Sequence, residues 1–287
     1  MPLTQLVCAL EADGLSLTPM TPTIGAEIQG VDLSKPLAAA HKTTLQRALL
    51  DWKVLFFRDQ DITTEAHLAF ARNFGTLEVH PFAPSKPGYP EVLAITHDRD
   101  RRGRENTWHS DVTWRLEPSL GSVLRAVEIP PVGGDTLFAD MYAAYEGLSD
   151  DVKARIEGRV AIHDFTHFRR GLRRAGKTEA EIAALDAAFP NPRHPVVRTH
   201  PETGRKALYV NAAFTIAIEG LETAESDALL AHLYAQAAIP EYQCRFRWEP
   251  NSIAFWDNRA SQHYAVSDYW PAVRRMERVT IVGDKPR

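Results

Sequence analysis

Two residues apart in the run Thr107-Trp108-His109-Ser110-Asp111 stand an imidazole and a carboxylate, and His263, in Ser261-Gln262-His263-Tyr264, can complete a three-ligand metal set with them. Two histidines and one carboxylate suit Fe(II), which they hold on one side while three coordination positions stay open for a co-substrate and O2. On a strand, residues two apart point to the same face, so a strand over Thr107–Trp114 would aim His109 and Asp111 at one ion without unusual backbone. The chemistry such a centre supports is oxygen activation. A His-x-Asp triplet carries little weight alone in a chain with 11 histidines, so its meaning depends on the elements around it.

Ligands from residues 109, 111 and 263 can meet only if distant strands close on one another. Short apolar runs bounded by turn residues supply candidates, among them Val54–Arg58, Glu91–Thr96, Thr107–Trp114, Ser122–Glu128, Ser252–Trp256 and Arg274–Val282. Two helices are clear: one with Leu45, Ala48, Leu49 and Trp52 on a single face, and one near residues 223–238 with Leu229, Leu230, Leu233 and Tyr234. The expected fold is mainly β with peripheral helices. Of the all-β architectures, a double-sheet jelly roll gathers side chains from opposite strands around a central cavity. No repeat, low-complexity tract or charge run marks a linker, so residues 1–287 are expected to form one domain. Residues 165–192, rich in Arg and Ala with helical periodicity, are expected to be an active-site lid.

Composition narrows the partners. With 287 residues, 44% of them hydrophobic, the chain can bury a sizeable core. A formal charge of −4 gives no basic field for nucleic acid, and any bound anion must be held by local arginines. Cys8 and Cys244 lie far apart and outside any zinc spacing, which fits a reducing compartment. The first residues lack the pattern of a signal peptide, and no apolar run approaches the roughly 18 residues of a membrane span. The expectation is a cytoplasmic protein without membrane or nucleic-acid partners.

Three further segments bear on the triplet. Pro250 to Arg259 reads as a buried strand ending in a polar turn just before His263. In Arg274-Arg275-Met276-Glu277-Arg278, alternation puts Arg274, Met276 and Arg278 on one face and Arg275 and Glu277 on the other. Two arginines on a core face would be costly unless each meets an anion; the alternative is that this face is the solvated one. The turn Gly133-Gly134-Asp135-Thr136 leads into a strand carrying a hydroxyl.

Taken together, Trp108-His109-Ser110-Asp111-Val112-Thr113, Gly133-Gly134-Asp135-Thr136, His194 to His200, Trp256-Asp257-Asn258-Arg259, Gln262-His263-Tyr264 and Gly283-Asp284-Lys285-Pro286 make the chain resemble the taurine dioxygenase family of Fe(II)/2-oxoglutarate-dependent oxygenases. The resemblance runs from Ile24 to Pro286. It implies a double-stranded β-helix, another name for the jelly-roll core, with His109, Asp111 and His263 as iron ligands. It implies that Arg274 pairs with the far carboxylate of 2-oxoglutarate and that Thr136 hydrogen-bonds it. A guanidinium fork suits a carboxylate well. Fe(II), 2-oxoglutarate and O2 would then yield succinate, CO2 and a hydroxylated substrate.

By the same match, His80 and Arg278 would grip a sulfonate, with His80 as a donor that titrates near neutrality. Hydroxylation beside the sulfonate would release sulfite and an aldehyde, as from taurine. The substrate end departs from the taurine pattern: Ala83 stands where a tyrosine is expected, with Phe82 before it; Glu105, beside Asn106, replaces an asparagine; Phe168-Arg169 replaces a Ser-Phe pair; and Glu277 replaces a histidine next to Arg278. Glu105 could receive an ammonium group. The alternatives are cleavage of alkyl sulfate esters or aryloxyalkanoate-type acids and, more remotely, a metal-binding jelly roll without turnover. The resemblance also allows a homo-oligomer, dimer or tetramer. His163, His194 and His200 are read as core positions, His41, His67 and His232 as helix surface, and Trp108 and Trp256 as packing around the metal.

Overall fold

The strand Val54–Phe57 shows how the sequence builds the centre of the molecule. All four of its side chains are buried. Leu55 and Phe57 turn toward helices Ala39–Trp52 and Thr64–Arg72, while Val54 and Phe56 turn toward a second sheet. A strand covered on both faces reads as an unbroken apolar run rather than an alternation. Ile253–Asp257 follows the same rule, with Ile253 and Phe255 on the helix side and Ala254 and Trp256 on the other.

The computed structural model describes residues 14–287; Cys8 and the first residues read for a signal lie outside them. Among the described residues there are 16 strands and seven α-helices. The large sheet has eight strands, in spatial order Ser16–Pro19, Ala26–Gln29, Val54–Phe57, Ile253–Asp257, Gly121–Glu128, Arg274–Ile281, Tyr89–His97 and Ser85–Lys86. A three-stranded sheet, Gln243–Phe246, Thr136–Asp140 and Ser261–Ala265, packs against its inner face. Phe56 from the large sheet stacks on Phe246 at 4.0 Å and meets Phe138 edge-on at 5.6 Å. Burying each such ring stabilises the fold by about 1.5–3 kcal/mol.

Alternation along Arg274–Ile281 decides which face the arginines take. Val279 and Ile281 lie in the helix-side core, and Met276 lies between the sheets with Arg274 and Arg278. The face expected to be either core or solvated is therefore the inner one. On the opposite face Arg275 pairs across the sheet with Glu128, and Glu277 with Arg125 and with Lys86 at 2.6 Å. Glu277 points away from the site, as alternation requires.

A smaller sheet, Thr215–Ile218, Val160–His163 and Arg193–Pro195, packs with helices Met141–Glu146 and Thr223–Ala235 around a separate apolar cluster. Residues 165–192 contain two helices, Thr166–Arg174 and Glu179–Ala188; the second begins with a capping box between Thr178 and Glu181. His67 departs from expectation. It is wholly buried on the sheet-facing side of Thr64–Arg72, 3.0 Å from the Val123 carbonyl, and burial pushes its pKa down to about 3, so the ring stays neutral. His163, His194 and His200 are buried and hydrogen-bonded. No helix among the described residues is long and apolar enough to cross a membrane.

Candidate active site

His109 and His263 face each other across one backbone pair, His109 N–H to the His263 carbonyl at 3.1 Å and the reverse at 2.8 Å. That bridge fixes the two imidazoles with ring centroids 4.2 Å apart. The expected strand over Thr107–Trp114 is absent: the bridge is isolated, and a turn follows in which Val112 takes a φ of 49°, a rare conformation for a β-branched residue. Asp111 is aimed by Asn258 instead. The Asn258 side chain accepts from the Asp111 N–H at 2.6 Å, donates to the Asp111 carbonyl at 2.9 Å and reaches the Ser119 carbonyl at 3.2 Å. Sequence reasoning gave Asn258 no role of its own, although a polar residue closing a buried strand was a usable signal.

The three ligand atoms of His109, Asp111 and His263 lie within 4.8 Å of one another. The His109 Nδ1–H donates to the Thr107 carbonyl at 2.7 Å, which leaves Nε2 as the nitrogen available to a metal. His263 Nδ1 is buried with no partner. Burial and the neighbouring His109 push the His263 pKa down to about 3, while burial of Asp111 is outweighed by Arg278 and the imidazoles, which hold its pKa down to about 2. A neutral His263 and an ionised Asp111 are protonation states that suit a divalent cation.

From this triad a cavity with about 510 Å3 of empty space, partly open to solvent, runs between the sheets, lined by Glu105, Thr136, Phe138, Trp256, Arg274 and Arg278 among others. Arg274 is 4% exposed, and its Nε has no partner. Burial pushes its pKa down, since no carboxylate neutralises it at close range. The guanidinium is flanked by the rings of Tyr269 and Trp248, with centroids at 5.8 and 5.9 Å. Trp248 is itself held by an Nε1–H bond to the Thr136 hydroxyl at 3.0 Å. Thr136 thus accepts from Trp248 and keeps its own O–H free to donate. A buried guanidinium with an unpartnered Nε and no carboxylate paired to it, next to a free hydroxyl, fits a carboxylate.

The residues expected at the substrate end are placed differently. Arg278 bonds Asp111 Oδ1 through Nη1 at 2.6 Å, with its Nε buried and unpaired. Glu105, half exposed at the rim, lies 3.3 Å from His97 Nε2. His80 and Phe168 do not line the cavity; they belong to an adjoining aromatic cluster with Phe82, Trp114 and Phe165. Phe168 stacks on Phe214 at 6.0 Å, and Phe214 meets the His109 ring at 6.1 Å, so the cluster reaches the triad. His80 does not titrate near neutrality. Burial, with Arg278 and Arg115 nearby, pushes its pKa down to about 3, and its Nδ1 accepts from the Ala83 N–H at 3.0 Å. It remains a donor through Nε2. Arg169 adds no charge to this region, because Asp164 and Asp186 pair with it at 2.9 and 2.7 Å. Trp256 packs on His263 at 4.9 Å, and Trp108 packs on Tyr264 at 5.6 Å.

A His-Asp-His triad opening toward a buried arginine is the arrangement of a non-heme iron oxygenase that takes an anionic co-substrate. Residues 16–280 match the family described as Taurine catabolism dioxygenase TauD, TfdA family, and the chain belongs to that family. It is a 2-oxoglutarate-dependent dioxygenase whose cofactors are Fe(II), 2-oxoglutarate and O2. An alpha-ketoglutarate-dependent sulfate ester dioxygenase from Pseudomonas putida is 36% identical over 98% of this chain and 94% of the relative. The (S)-phenoxypropionate/alpha-ketoglutarate-dioxygenase of Sphingobium herbicidovorans is 36% identical over 93% of this chain and 95% of its own. The crystal structure of a taurine dioxygenase from Burkholderia xenovorans superposes with a TM-score of 0.82 at 39% identity, covering 95% of this chain and 91% of that one.

Proposed function

We propose that the chain hydroxylates the carbon bearing an anionic sulfate-ester or sulfonate group on a substrate with an apolar tail. The observation that carries this reading is the triad, with ligand atoms within 4.8 Å, set between a buried Arg274 that has no carboxylate partner on one side and an aromatic cluster on the other. His109, Asp111 and His263 hold Fe(II), which supplies O2 activation coupled to decarboxylation of 2-oxoglutarate. Arg274 and Thr136 bind the far carboxylate of that co-substrate. Arg278, whose Nε is unpaired, and the neutral His80 donate to the substrate anion. Phe82, Phe168 and Phe214 take up the tail and exclude water from the reacting C–H.

The two facing sheets support a jelly-roll core, and we read residues 165–192 as the lid of this one domain, because its first helix plants Phe168 in the aromatic cluster. Hydroxylation of R–CH2–OSO3− at the carbon beside oxygen gives an adduct that collapses to R–CHO and sulfate; a sulfonate gives an aldehyde and sulfite. Taurine remains a second reading, favoured by the likeness to the taurine dioxygenase of Burkholderia xenovorans. The aryloxyalkanoate alternative shares the anion and the apolar tail.

The deciding experiment supplies anaerobically purified protein with Fe(II), 2-oxoglutarate, O2 and, separately, hexyl sulfate, hexanesulfonate, taurine or phenoxyacetate, and measures succinate with released sulfate, sulfite or phenol. Expected is succinate matched to sulfate or sulfite, with taurine at least about tenfold poorer in kcat/KM than the hexyl compounds, roughly what 1.4 kcal/mol of tail burial gives. Preference for taurine would restore the amino-sulfonate reading. Succinate with none of them, together with no bound iron, would defeat the assignment as a whole. In the same assay Phe168→Ala should raise KM for hexyl sulfate by about tenfold, given about 1.5–3 kcal/mol for a fully buried ring, and leave the KM for 2-oxoglutarate unchanged; equal effects on both would remove Phe168 from the tail site.

A further inference from the structure

Arg274 rests between two rings, and each ring is pinned by one hydrogen bond. Trp248 is pinned by Thr136, a residue already placed in the site. Tyr269 is pinned from the other direction: its hydroxyl lies 2.7 Å from His97 Nδ1, and His97 Nε2 lies 3.3 Å from the Glu105 carboxylate. The carboxylate can only accept, so Nε2 carries a proton, and the Nδ1 edge of the same ring meets the Tyr269 hydroxyl. Glu105 therefore orients the imidazole that holds Tyr269 in place.

Two glycines close this chain of contacts without room to spare. A Cβ on Gly103 would fall 2.6 Å from the Tyr269 hydroxyl oxygen and 3.1 Å from His97 Nδ1. A Cβ on Gly134 would come within 3.2 Å of both Arg274 Cδ and Tyr269 Cδ1. The loop after His97 thus seals the hydrogen bond, and the Gly133-Gly134 turn seals the ring against the guanidinium. His97 is buried, whereas Glu105 sits half exposed where the chain of contacts meets solvent.

We propose that Glu105 is a positioning residue for Arg274, acting through His97 and Tyr269, so that it sets the affinity for 2-oxoglutarate rather than for the primary substrate. The proposal rests on the reading of Arg274 as the co-substrate's carboxylate partner. With its carboxylate committed to His97, Glu105 is not a free acceptor for a substrate ammonium group.

The test is calorimetric binding of 2-oxoglutarate to the Mn(II)-loaded protein without O2, alongside KM for 2-oxoglutarate and for hexyl sulfate in the Fe(II) enzyme. Tyr269→Phe should weaken 2-oxoglutarate by about tenfold, the upper end of what one hydrogen bond contributes. Glu105→Ala should weaken it by about three- to fivefold, Glu105→Gln, which keeps an acceptor, should stay near the parent value, and the Glu105→Ala/Tyr269→Phe pair should be no worse than Tyr269→Phe alone. Unchanged 2-oxoglutarate affinity in Glu105→Ala, additive losses in the pair, or a change confined to KM for the primary substrate would each overturn the proposal. Should Tyr269→Phe fail to fold, as judged by its melting temperature, the exposed Glu105 variants still decide it. If the parent protein itself bound no 2-oxoglutarate, the reading of Arg274 would fail first, a result distinct from variants that bind as the parent does.

Discussion

Replacing His109 by alanine is expected to lower iron-dependent turnover by more than roughly 100-fold, beyond the 10- to 100-fold that partners outside the ligand set command. Three ligands are the minimum that leaves an open yet held metal, and the carboxylate and one imidazole that remain cannot fix its geometry. His109 also contributes its backbone to the pair with His263, but alanine keeps that backbone, so the metal-free fold should be little changed and the loss should fall on metal binding. Succinate formation and iron content measured on the same preparation check this. A variant that keeps both iron and activity would show that the ligand set is wrong.

Arg274→Ala should weaken 2-oxoglutarate by about 30- to 5000-fold, the range spanned by about 2–5 kcal/mol for truncating one partner of a buried, hydrogen-bonded charge pair. The size follows from the site: the guanidinium is buried, flanked by Trp248 and Tyr269, and has no protein carboxylate close by to share it. Arg274→Lys should recover only part of the loss, because an ammonium keeps the charge and gives up the planar fork. Titration of 2-oxoglutarate into the metal-loaded variants reads both effects; a loss below about fivefold for alanine would place the far carboxylate elsewhere.

What could be read in the chain and what could not divide along physical lines. Runs such as Val54-Leu55-Phe56-Phe57 declare a strand buried on both faces, and period two along Arg274–Ile281 put Arg274 and Arg278 on the same side as Met276. Those signals are local. The long-range ones were less accessible. Asp111 is aimed by a turn and by Asn258, 147 residues away, so a strand was expected where the backbone has none. Helices Met141–Glu146 and Asp150–Ile156 are too short to show a periodic face. The burial of His67 depended on which side of its helix meets the sheet, which a single turn of residues does not fix. His80 was read from its unperturbed pKa, and burial with two nearby guanidiniums moved it. Glu105 was matched to a substrate group, and its contact with His97, eight residues earlier across a loop, could not be read from its own neighbourhood.

The backbone pair between His109 and His263 gives the metal a second role, in thermodynamic linkage. The ligands come from two segments that are neighbours only in the folded chain, so an unfolded chain offers no comparable site. Binding therefore draws the folding equilibrium toward the native state by mass action, by about 2.7 kcal/mol at a free metal concentration 100 times Kd. That is a large share of the 5–15 kcal/mol on which a folded domain commonly rests. The same ion that makes the site reactive also ties the two segments together.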